Sequence, residues 1–322
     1  MRPDRRAALT GLLALAAAPR ALAQRARVRT VGYLSNGADP AWLVKLLAAS
    51  GHVEGRNLRL EVRTAPPETR DTEKVAAQLV EMRPDVLLAF GARNVSVLAR
   101  LTKAIPIVCG GTADPVGIGF AETVRRPGGN ITGLSYGIPE IAQILVGLMR
   151  TVKPRLQRIL ALTERKEADG QQGWGNVLRS LEGRARGAGI AWELVRVGSA
   201  AETERALAPL EPATALVYYI DVTGVLANAR AAELANGRRL ASMAANTALG
   251  RAGVLMHYSI DHADPQRRVA AIVDQVLRGA NPAEIPFELP DRTTFIVNRA
   301  TAKAIGVELP PEVLARATEI VG

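Results

Sequence analysis

The chain has 322 residues, of which 48% are apolar and only 4% are aromatic. This length is enough for one large domain or for two of ordinary size, with cores filled mainly by Ala, Leu and Val. The formal net charge is +10, but the basic residues are scattered and few aromatic residues lie among them. A nucleic-acid groove, which combines a basic stripe with stacking rings, is therefore excluded.

The N-terminal segment has the three parts of a signal peptide. Basic residues come first and include the pair Arg5-Arg6, residues 7–18 form an apolar run, and residues 21–23 read Ala-Leu-Ala, a cleavage site of the A-x-A type. The apolar run is too short to cross a bilayer as a helix, which takes about 20 residues. We therefore expect residues 1–23 to be a signal peptide and the mature protein to be periplasmic. The Sec route and the twin-arginine route both stay open, and an ordinary first helix is a third interpretation.

The single cysteine, Cys109, rules out an internal disulfide. It lies in the apolar stretch IPIVC, which is typical of a core strand, and burial protects a lone thiol in an oxidising compartment. A catalytic thiol is the alternative for this residue. No segment after residue 23 has 18 successive apolar residues, so we expect a soluble mature chain.

The first part of the chain alternates between strand-like and helix-like segments. Short apolar or period-two stretches predict strands, and the spacing of apolar residues predicts amphipathic helices between them. The predicted strands are residues 27–35, 57–65, 84–90 and 105–111, and the predicted helices are residues 41–50, 72–82 and 94–102. Strands that alternate with helices indicate a parallel sheet covered on both faces.

The alternation breaks at residues 126–137, which read RPGGNITGLSYG, and then restarts with a second series of helices and strands. We therefore predict an α/β fold with two Rossmann-like lobes, each with a parallel sheet, joined by a multi-crossing hinge; behind a signal peptide, this is the arrangement of a periplasmic binding protein. The predicted lobe 1 comprises residues 27–134 and 260–290, and the predicted lobe 2 comprises residues 135–259 and 291–322. In such a fold the carboxyl ends of the two sets of strands line one cleft, which closes on a ligand.

Several strings along the chain are specific in combination. They are VGYLSNG (residues 31–37), GHVEGRNLRLEVR (51–63), ADPVGIGF (113–120), RRPGGNITGLS (125–135) and the tail VDQVLRGANPAEIPFELPDRTTFIVNRATAKAIGVELPPEVLARATEIV (273–321). On these strings, the chain from Val31 to Ile320 resembles the substrate-binding proteins of ABC transporters of the TrpX type, the tryptophan/tyrosine group with a type I periplasmic binding fold.

The resemblance implies a monomeric protein that captures a small molecule in the periplasm and delivers it to an ABC permease and its ATPase. Several members of the group bind aromatic amino acids. This chain departs from the group's pattern beside the cleft: its first helix is shorter, Arg93 and Asn94 replace small residues or Pro, and His257 occupies a small polar slot. The ligand class is therefore open between an amino acid and another carboxylate. A sensor that presents its closed form to a receptor is the alternative function.

The ends of the predicted strands supply the candidate ligand contacts, because ligands of parallel α/β sheets bind there. Loop N–H groups at helix N-termini are suitable donors for an anion. The predicted ligand-binding residues are Ser35, Asn36, Gly91, Ala92, Arg93, Thr112, Asp114, Ser135, Tyr136, Thr163, Asp221 and Tyr258.

Each of these residues also has a simpler interpretation. Arg93 would clamp a ligand carboxylate through two hydrogen bonds, or it is a solvated surface charge. Asp221 would bind an ammonium group, or it serves a turn. Ser35 and Asn36 are equally suited to cap a helix, and Asp114 before Pro is a common turn starter. The two tyrosines would stack on a planar ligand or pack the hinge.

Residues 133–137 read GLSYG, which matches the G-x-S-x-G nucleophile elbow of serine hydrolases, and Asp221 and His257 follow in the chain order of an α/β-hydrolase triad. No oxyanion loop of the HGGG type precedes the match, and a break in the alternation is what a crossing between lobes requires. We therefore interpret Gly133 and Gly137 as hinge residues and Ser135 as a cleft hydroxyl, with a serine hydrolase as the remote alternative.

Other catalytic signatures are missing from the sequence. It contains no P-loop, no G-x-G-x-x-G and no H-E-x-x-H motif. Three scattered histidines and one cysteine do not have the spacing of a metal site. We therefore predict a protein without cofactor or metal that is not an enzyme.

Overall fold

The computed structural model describes residues 27–64, 71–164, 172–221, 229–245, 247–261 and 263–322. The predicted signal peptide lies outside the described residues. Among the described residues no helix is long and apolar enough to cross a membrane. These residues form two α/β lobes, each built around one sheet, as the sequence predicted.

The first sheet is parallel throughout, with the strand order β2-β1-β3-β4-β5. Its strands are β1 (Arg29–Ser35), β2 (Leu58–Thr64), β3 (Val86–Ala89), β4 (Ile107–Thr112) and β5 (Ile131–Ser135), and its helices are α1 (Ala41–Ala49), α2 (Thr72–Glu81), α3 (Ala92–Leu101) and α9 (Pro265–Leu277). Leu79 of α2 and Leu98 of α3 belong to the core on one face, and Leu47 of α1 and Val273 of α9 belong to the core on the other. Because both faces are covered, the central strands read as continuous apolar runs.

The second sheet has the strand order β12-β11-β10-β9-β8-β6-β7. Its strands are β6 (Arg158–Thr163), β7 (Ala191–Arg196), β8 (Ala215–Asp221), β9 (Ala241–Ala244), β10 (Met256–Asp261), β11 (Arg292–Asn298) and β12 (Glu319–Val321). The helices of this lobe are α4 (Ile138–Val152), α5 (Gln172–Gly187), α6 (Ala200–Leu207), α7 (Ala229–Gly237), α8 (Thr247–Arg251), α10 (Arg299–Ile305) and α11 (Pro311–Arg316). Leu145 of α4 and Leu181 of α5 are in the core on one face, whereas Leu207 of α6 and Ala231 of α7 are in the core on the other.

One pair of strands in the second sheet adds an antiparallel step to the predicted parallel arrangement. β10 and β11 run antiparallel, with Met256 opposite Val297 and Asp261 opposite Arg292. The chain leaves the second sheet at the end of β10, builds α9 in the first lobe, and returns to the same edge at the start of β11. Because β11 enters the sheet at the edge where β9 and β10 end, it must run antiparallel to them.

Three crossings connect the lobes, and hydrogen bonds hold them side by side. They lie between β5 and α4, between β10 and α9, and between α9 and β11. The backbone of Glu288, in the third crossing, accepts from the Ser135 N–H at 2.9 Å and donates to the Gly133 carbonyl at 2.9 Å. Arg268, in the first turn of α9, donates to the side chains of Glu288 and Asp291, each at 2.5 Å. Because β5 and β10 enter their crossings from their carboxyl ends, these edges of the two sheets border one cleft.

Candidate ligand-binding site

Ser35 shapes the loop at the end of β1. It is buried, its hydroxyl accepts from the Gly37 N–H at 3.1 Å and donates to the Ala38 carbonyl at 3.1 Å, and Asn36 beside it is exposed. At the start of α1 it is Asp39, not Ser35, whose side chain accepts a backbone hydrogen bond, from the Ala41 N–H at 2.9 Å. Ser35 therefore organises a turn at the cleft, and Asn36 is the polar side chain that this turn presents to solvent.

The loop after β3 carries Gly91, Ala92 and Arg93. Gly91 has a φ of +80°, a conformation that favours glycine, and α3 begins directly after it. Ala92 is buried and Arg93 is half-exposed. Within the part of the chain that the structure describes, the Arg93 guanidinium forms no ion pair. A cation thus lies at the carboxyl edge of the first sheet with its hydrogen-bonding capacity unused by described groups.

Thr112 and Asp114 follow the fourth strand and differ in how their oxygens are used. The Thr112 hydroxyl is buried and finds no hydrogen-bond partner among the described residues. One carboxylate oxygen of Asp114 accepts from the Gly117 N–H at 2.8 Å, which is the geometry of a turn-forming aspartate. Buried polar atoms are nearly always paired, so the Thr112 hydroxyl is a group that a ligand or a water could complete.

Ser135 lies in β5, not on the strained turn of a nucleophile elbow. Its side chain is buried, its φ is not positive, and its hydroxyl accepts from the Gly137 N–H at 3.1 Å. Steric constraints explain why glycine stands at positions 133 and 137. A Cβ on Gly133, at φ +148°, would lie 2.0 Å from the Cys109 carbonyl oxygen, and Gly137 adopts the left-handed region at φ +59°. The motif therefore lets β5 approach β4 closely and turns the chain into α4.

A cavity of about 240 Å³ opens in the second lobe between the sheet and the start of α4. Its wall is mostly apolar, with three tyrosines and a serine among the lining residues. These residues are Tyr136, Ile138, Ile141, Ala142, Leu145, Leu181, Tyr218, Ile220, Ala245, Tyr258 and Ser259. Ile220 lies at the carboxyl end of β8, Ala245 directly follows β9, and Ser259 lies in the second half of β10. The cavity therefore lies at the edge of the sheet where ligands of α/β folds bind.

Two of the predicted site residues, Tyr136 and Tyr258, line this cavity. Tyr136 is 42% exposed and its hydroxyl lies close to Gly111 of the first lobe, since a Cβ there would be 2.7 Å from it. The Tyr258 ring packs against Phe295, with ring centroids 5.9 Å apart. Tyr136 therefore spans from the first sheet to the mouth of the cavity, whereas Tyr258 is part of its wall.

The other predicted residues of the second lobe lie at neighbouring strand ends. Thr163 ends β6, is buried, and pairs in register with Asp221, which ends β8 directly after Ile220. The seven predicted residues before Ser135 lie at the carboxyl edge of the first sheet. The predicted set is thus divided between the two edges that border the cleft.

Sequence reasoning missed the residues that form most of the cavity wall. Ile138, Ile141, Ala142 and Leu145 follow the i, i+3, i+4, i+7 spacing of an apolar helix face, and that spacing is the same for a helix packed on a core. The signal that could have found them is position, because this face belongs to the first two turns after a crossing. Tyr218 lies inside β8, and the sequence pattern of a buried strand does not show that its ring faces a cavity.

Tyr218 and Tyr219 are adjacent in β8 and lie on opposite faces of the sheet. Tyr219 donates its hydroxyl to the Ala231 carbonyl at 2.6 Å, whereas the Tyr218 hydroxyl forms no hydrogen bond with a described residue. Burial raises the pKa of both phenols, so both keep their protons at neutral pH. The Tyr218 ring is held by Trp192, at a centroid distance of 6.4 Å.

His257 is a buried ring that joins β9 to β10. Its Nδ1 lies 3.0 Å from the Ala244 carbonyl oxygen and its Nε2 lies 3.0 Å from the Ser259 hydroxyl. Since a carbonyl only accepts, Nδ1 carries the proton of the neutral ring and Nε2 accepts from Ser259. Burial lowers the pKa of His257, and the nearby positive charge of Arg251 lowers it further. The ring therefore fixes Ser259, a polar group of the cavity wall, and does not act as a free base.

Among the described residues no group of three or more His, Cys, Asp or Glu side chains could hold a metal ion. Cys109 is buried in β4, and burial raises the pKa of its thiol to about 12.

Comparison with known proteins agrees with this architecture. A tyrosine-binding protein from Clostridioides difficile (strain R20291) is 23% identical over 269 residues, which are 82% of this chain and 75% of that protein. A conserved domain protein from Vibrio cholerae superposes with a TM-score of 0.62 at 25% identity, over 91% of this chain and 100% of that one. An ABC domain in complex with L-Trp from Streptococcus pneumoniae gives a TM-score of 0.62 at 21% identity, over 91% and 99%.

The family assignment rests on a match along most of the chain. The model of the ABC transporter substrate binding protein family matches residues 41–321, which include the second lobe, the first lobe from α1 onward, all three crossings and the cavity. The predicted resemblance is confirmed at this level: the chain belongs to the ABC transporter substrate-binding protein family.

Proposed function

We propose that this protein is an exported substrate-binding protein that closes its lobes around an amino acid, or a similar small carboxylate with an apolar side chain, and delivers it to an ABC permease and its ATPase. The observation that carries the proposal is the position of the cavity. It opens at the carboxyl edge of the second sheet, under the first turns of α4 and beside a crossing, where hinge closure would bring the first sheet over it.

The size and wall of the cavity favour an apolar side chain, including a ring. An engineered apolar cavity of about 150 Å³ binds benzene, and this cavity has about 240 Å³. It therefore has room for a six-membered ring with substituents. Ile138, Ile141 and Leu145 from α4 and Leu181 from α5 supply the apolar contacts.

The opposite edge of the cleft favours a polar head group. Arg93 offers a guanidinium without a described ion-pair partner, and the Thr112 hydroxyl is buried without a described hydrogen bond. A carboxylate that faced the first sheet would pair with the Arg93 guanidinium, which can bind it with two hydrogen bonds. Asp221, at the end of β8, is the candidate acceptor for an ammonium group. Amino acids combine all three features.

The relatives support this ligand class. One is a tyrosine-binding protein and another was crystallised with L-Trp, in line with the TrpX type indicated by the sequence. We infer that this chain likewise binds an amino acid and works without catalysis. We also infer that its lobes divide within two residues of 134/135, 259/260 and 290/291, since β5 ends at Ser135, β10 ends at Asp261 and β11 begins at Arg292. Ser135 then serves the crossing, in which its hydroxyl is already engaged.

We also infer export through the signal peptide at residues 1–23. A twin-arginine signal requires its arginine pair, so changing Arg5 and Arg6 to Lys would stop export by that route and leave Sec export intact. Cell fractionation of the full chain and of the double variant separates the two routes.

The experiment that tests the proposed function is a thermal-shift screen of the mature chain from Gln24 against amino acids, short carboxylates, purines and sugars. A ligand that binds only the folded protein stabilises it by about 2.7 kcal/mol at about 100 times its Kd. A rise in Tm with amino acids that carry apolar side chains is the expected result. The proposal would be contradicted if Tm rose only with sugars or purines, or if no ligand with a carboxylate raised it.

A further inference from the structure

Tyr218 places one polar atom in the mostly apolar wall of the cavity. The residue is 2% exposed and lines the cavity, yet its hydroxyl forms no hydrogen bond with any residue that the structure describes. A ligand that covered this hydroxyl without bonding it would leave a donor unsatisfied, at a cost of about 1–3 kcal/mol. A phenylalanine would fill the same space without that cost.

The hydroxyls of Tyr218 and its neighbour Tyr219 differ in their hydrogen bonding. Tyr219 is equally buried, but its hydroxyl donates to the Ala231 carbonyl at 2.6 Å. It lies on the opposite face of the sheet, away from the cavity. One of two neighbouring phenols is thus used by the fold, and the other is left for whatever occupies the cavity.

The position of the Tyr218 ring is well defined. β8 lies inside the sheet, where Tyr218 is in register with Ala161 of β6 and Met243 of β9. Its ring contacts Trp192 with an interplanar angle of 58°. A hydroxyl on a ring fixed in this way keeps one position, which is what discrimination between similar ligands requires.

We propose that Tyr218 is a specificity-determining residue: its hydroxyl hydrogen-bonds a polar group on the ring of the ligand, so that the protein selects a ring that carries a hydroxyl or an N–H over an unsubstituted ring. This inference rests on the proposed function, because it requires the side chain of the ligand to enter the cavity. A site built to bond a ligand hydroxyl rejects the analogue without it far more strongly than an apolar pocket rejects one methylene, because the buried polar group is then left unpaired.

The test is isothermal titration calorimetry of the mature wild-type protein, Tyr218→Phe and Tyr219→Phe with L-tyrosine, L-tryptophan and L-phenylalanine. We expect the wild type to bind L-tyrosine or L-tryptophan at least about tenfold more tightly than L-phenylalanine. In Tyr218→Phe that preference should disappear, with L-phenylalanine bound as well as before or better. Tyr219→Phe is the matched control, which should lower Tm through its lost hydrogen bond and keep the wild-type preference.

The outcomes separate this inference from the proposed function. If all three amino acids bind with equal affinity, or if Tyr218→Phe keeps the wild-type preference, the role of Tyr218 is disproved while amino-acid binding stands. If none of the three binds and the thermal-shift screen finds another ligand class, both proposals fail. A Tm of Tyr218→Phe at or above the wild-type value shows that the variant folds. If it does not fold, the wild-type affinities for the three amino acids still test the inference.

Discussion

Arg268, in the first turn of α9, and Glu288, in the crossing between α9 and β11, are joined by a contact of 2.5 Å between Nη1 and Oε2. The same guanidinium reaches Asp291 through Nη2 at 2.5 Å, and Asp291 in turn accepts from the Ala263 N–H at 2.8 Å. These bonds hold the pKa of Asp291 below its usual value, the backbone hydrogen bond from Ala263 most of all, and raise that of Arg268. The start of α9 and the segment before β11 are therefore fixed to each other at the hinge.

Arg268→Ala should lower Tm and weaken ligand binding together, because it frees two crossings whose spacing sets how the lobes meet. Arg267→Ala is the matched control, since the neighbouring Arg267 is largely exposed and its one ion pair with a described residue is to Asp264, at 3.7 Å. Exposed pairs of that kind contribute about 0–1 kcal/mol. Thermal melts with and without ligand measure both effects. Equal behaviour of the two variants would show that the hinge does not depend on Arg268.

Arg93→Ala should weaken binding of a carboxylate ligand by about tenfold or more and leave Tm nearly unchanged. A charge-assisted bond to a carboxylate contributes about 1.5–3 kcal/mol, and the half-exposed Arg93 forms no ion pair with a described residue. Arg100→Ala, on the same helix and facing Glu73 at 3.9 Å, is the control. Calorimetry of both variants measures the effect, and equal affinities in the two would remove Arg93 from the site.

Ala142→Leu should abolish or strongly weaken ligand binding, because it fills part of the cavity from the buried face of α4. The ligand-free protein has room for the larger side chain, so its Tm should change little. Gly147→Ala on the exposed face of the same helix is the control: it should stabilise the protein by about 0.5–1 kcal/mol without altering affinity. Unchanged affinity in Ala142→Leu would mean that the ligand binds elsewhere in the cleft.

The alternation of strands and helices made the architecture predictable from the sequence, but not the cavity. The strand predicted for residues 84–90 is β3, from Val86 to Ala89, because a buried apolar run and its flanking helices leave few alternatives. Ile138, Ile141 and Leu145 have the periodicity of a core face, and local sequence cannot tell a face that packs from a face that leaves a space. Likewise, the period of two places Tyr218 and Tyr219 on opposite faces but cannot show which phenol finds a partner.

Long-range pairs were beyond sequence reasoning for a related reason. Arg268 and Glu288 meet because α9 and the segment after it turn back at the hinge, and many other arginines and carboxylates in the chain were equally available. His257 was recognised as unusual in its position, but its bond to Ala244 depends on the register of β9 and β10. Tertiary contacts, not local patterns, decide these cases.

His257 should make the protein less stable in mildly acidic solution. Its folded pKa lies below the ordinary value because of burial, so the unfolded chain takes up this proton first as the pH falls below about 6.5. The contribution of the neutral ring is fully present above the unfolded pKa and is lost as the pH falls towards the folded pKa. Tm measured between about pH 7.5 and pH 5.5 should fall for the wild type and fall less for His257→Asn, whose amide can still donate to Ala244. Parallel curves for the two proteins would assign the acid sensitivity to other groups.

Ser135→Ala should leave ester hydrolysis at the level of the uncatalysed reaction, as in the wild type, while lowering Tm. The hydroxyl of Ser135 accepts the Gly137 N–H at 3.1 Å and is buried in β5, so its removal leaves a backbone donor at the crossing without that bond, at a cost of about 1–3 kcal/mol. An activated serine would behave in the opposite way, since loss of the nucleophile removes most of the catalysis. Hydrolysis of a chromogenic ester by both proteins, with a melt of each, tests the difference. A wild-type rate above background that Ser135→Ala abolishes would make GLSYG a nucleophile elbow after all.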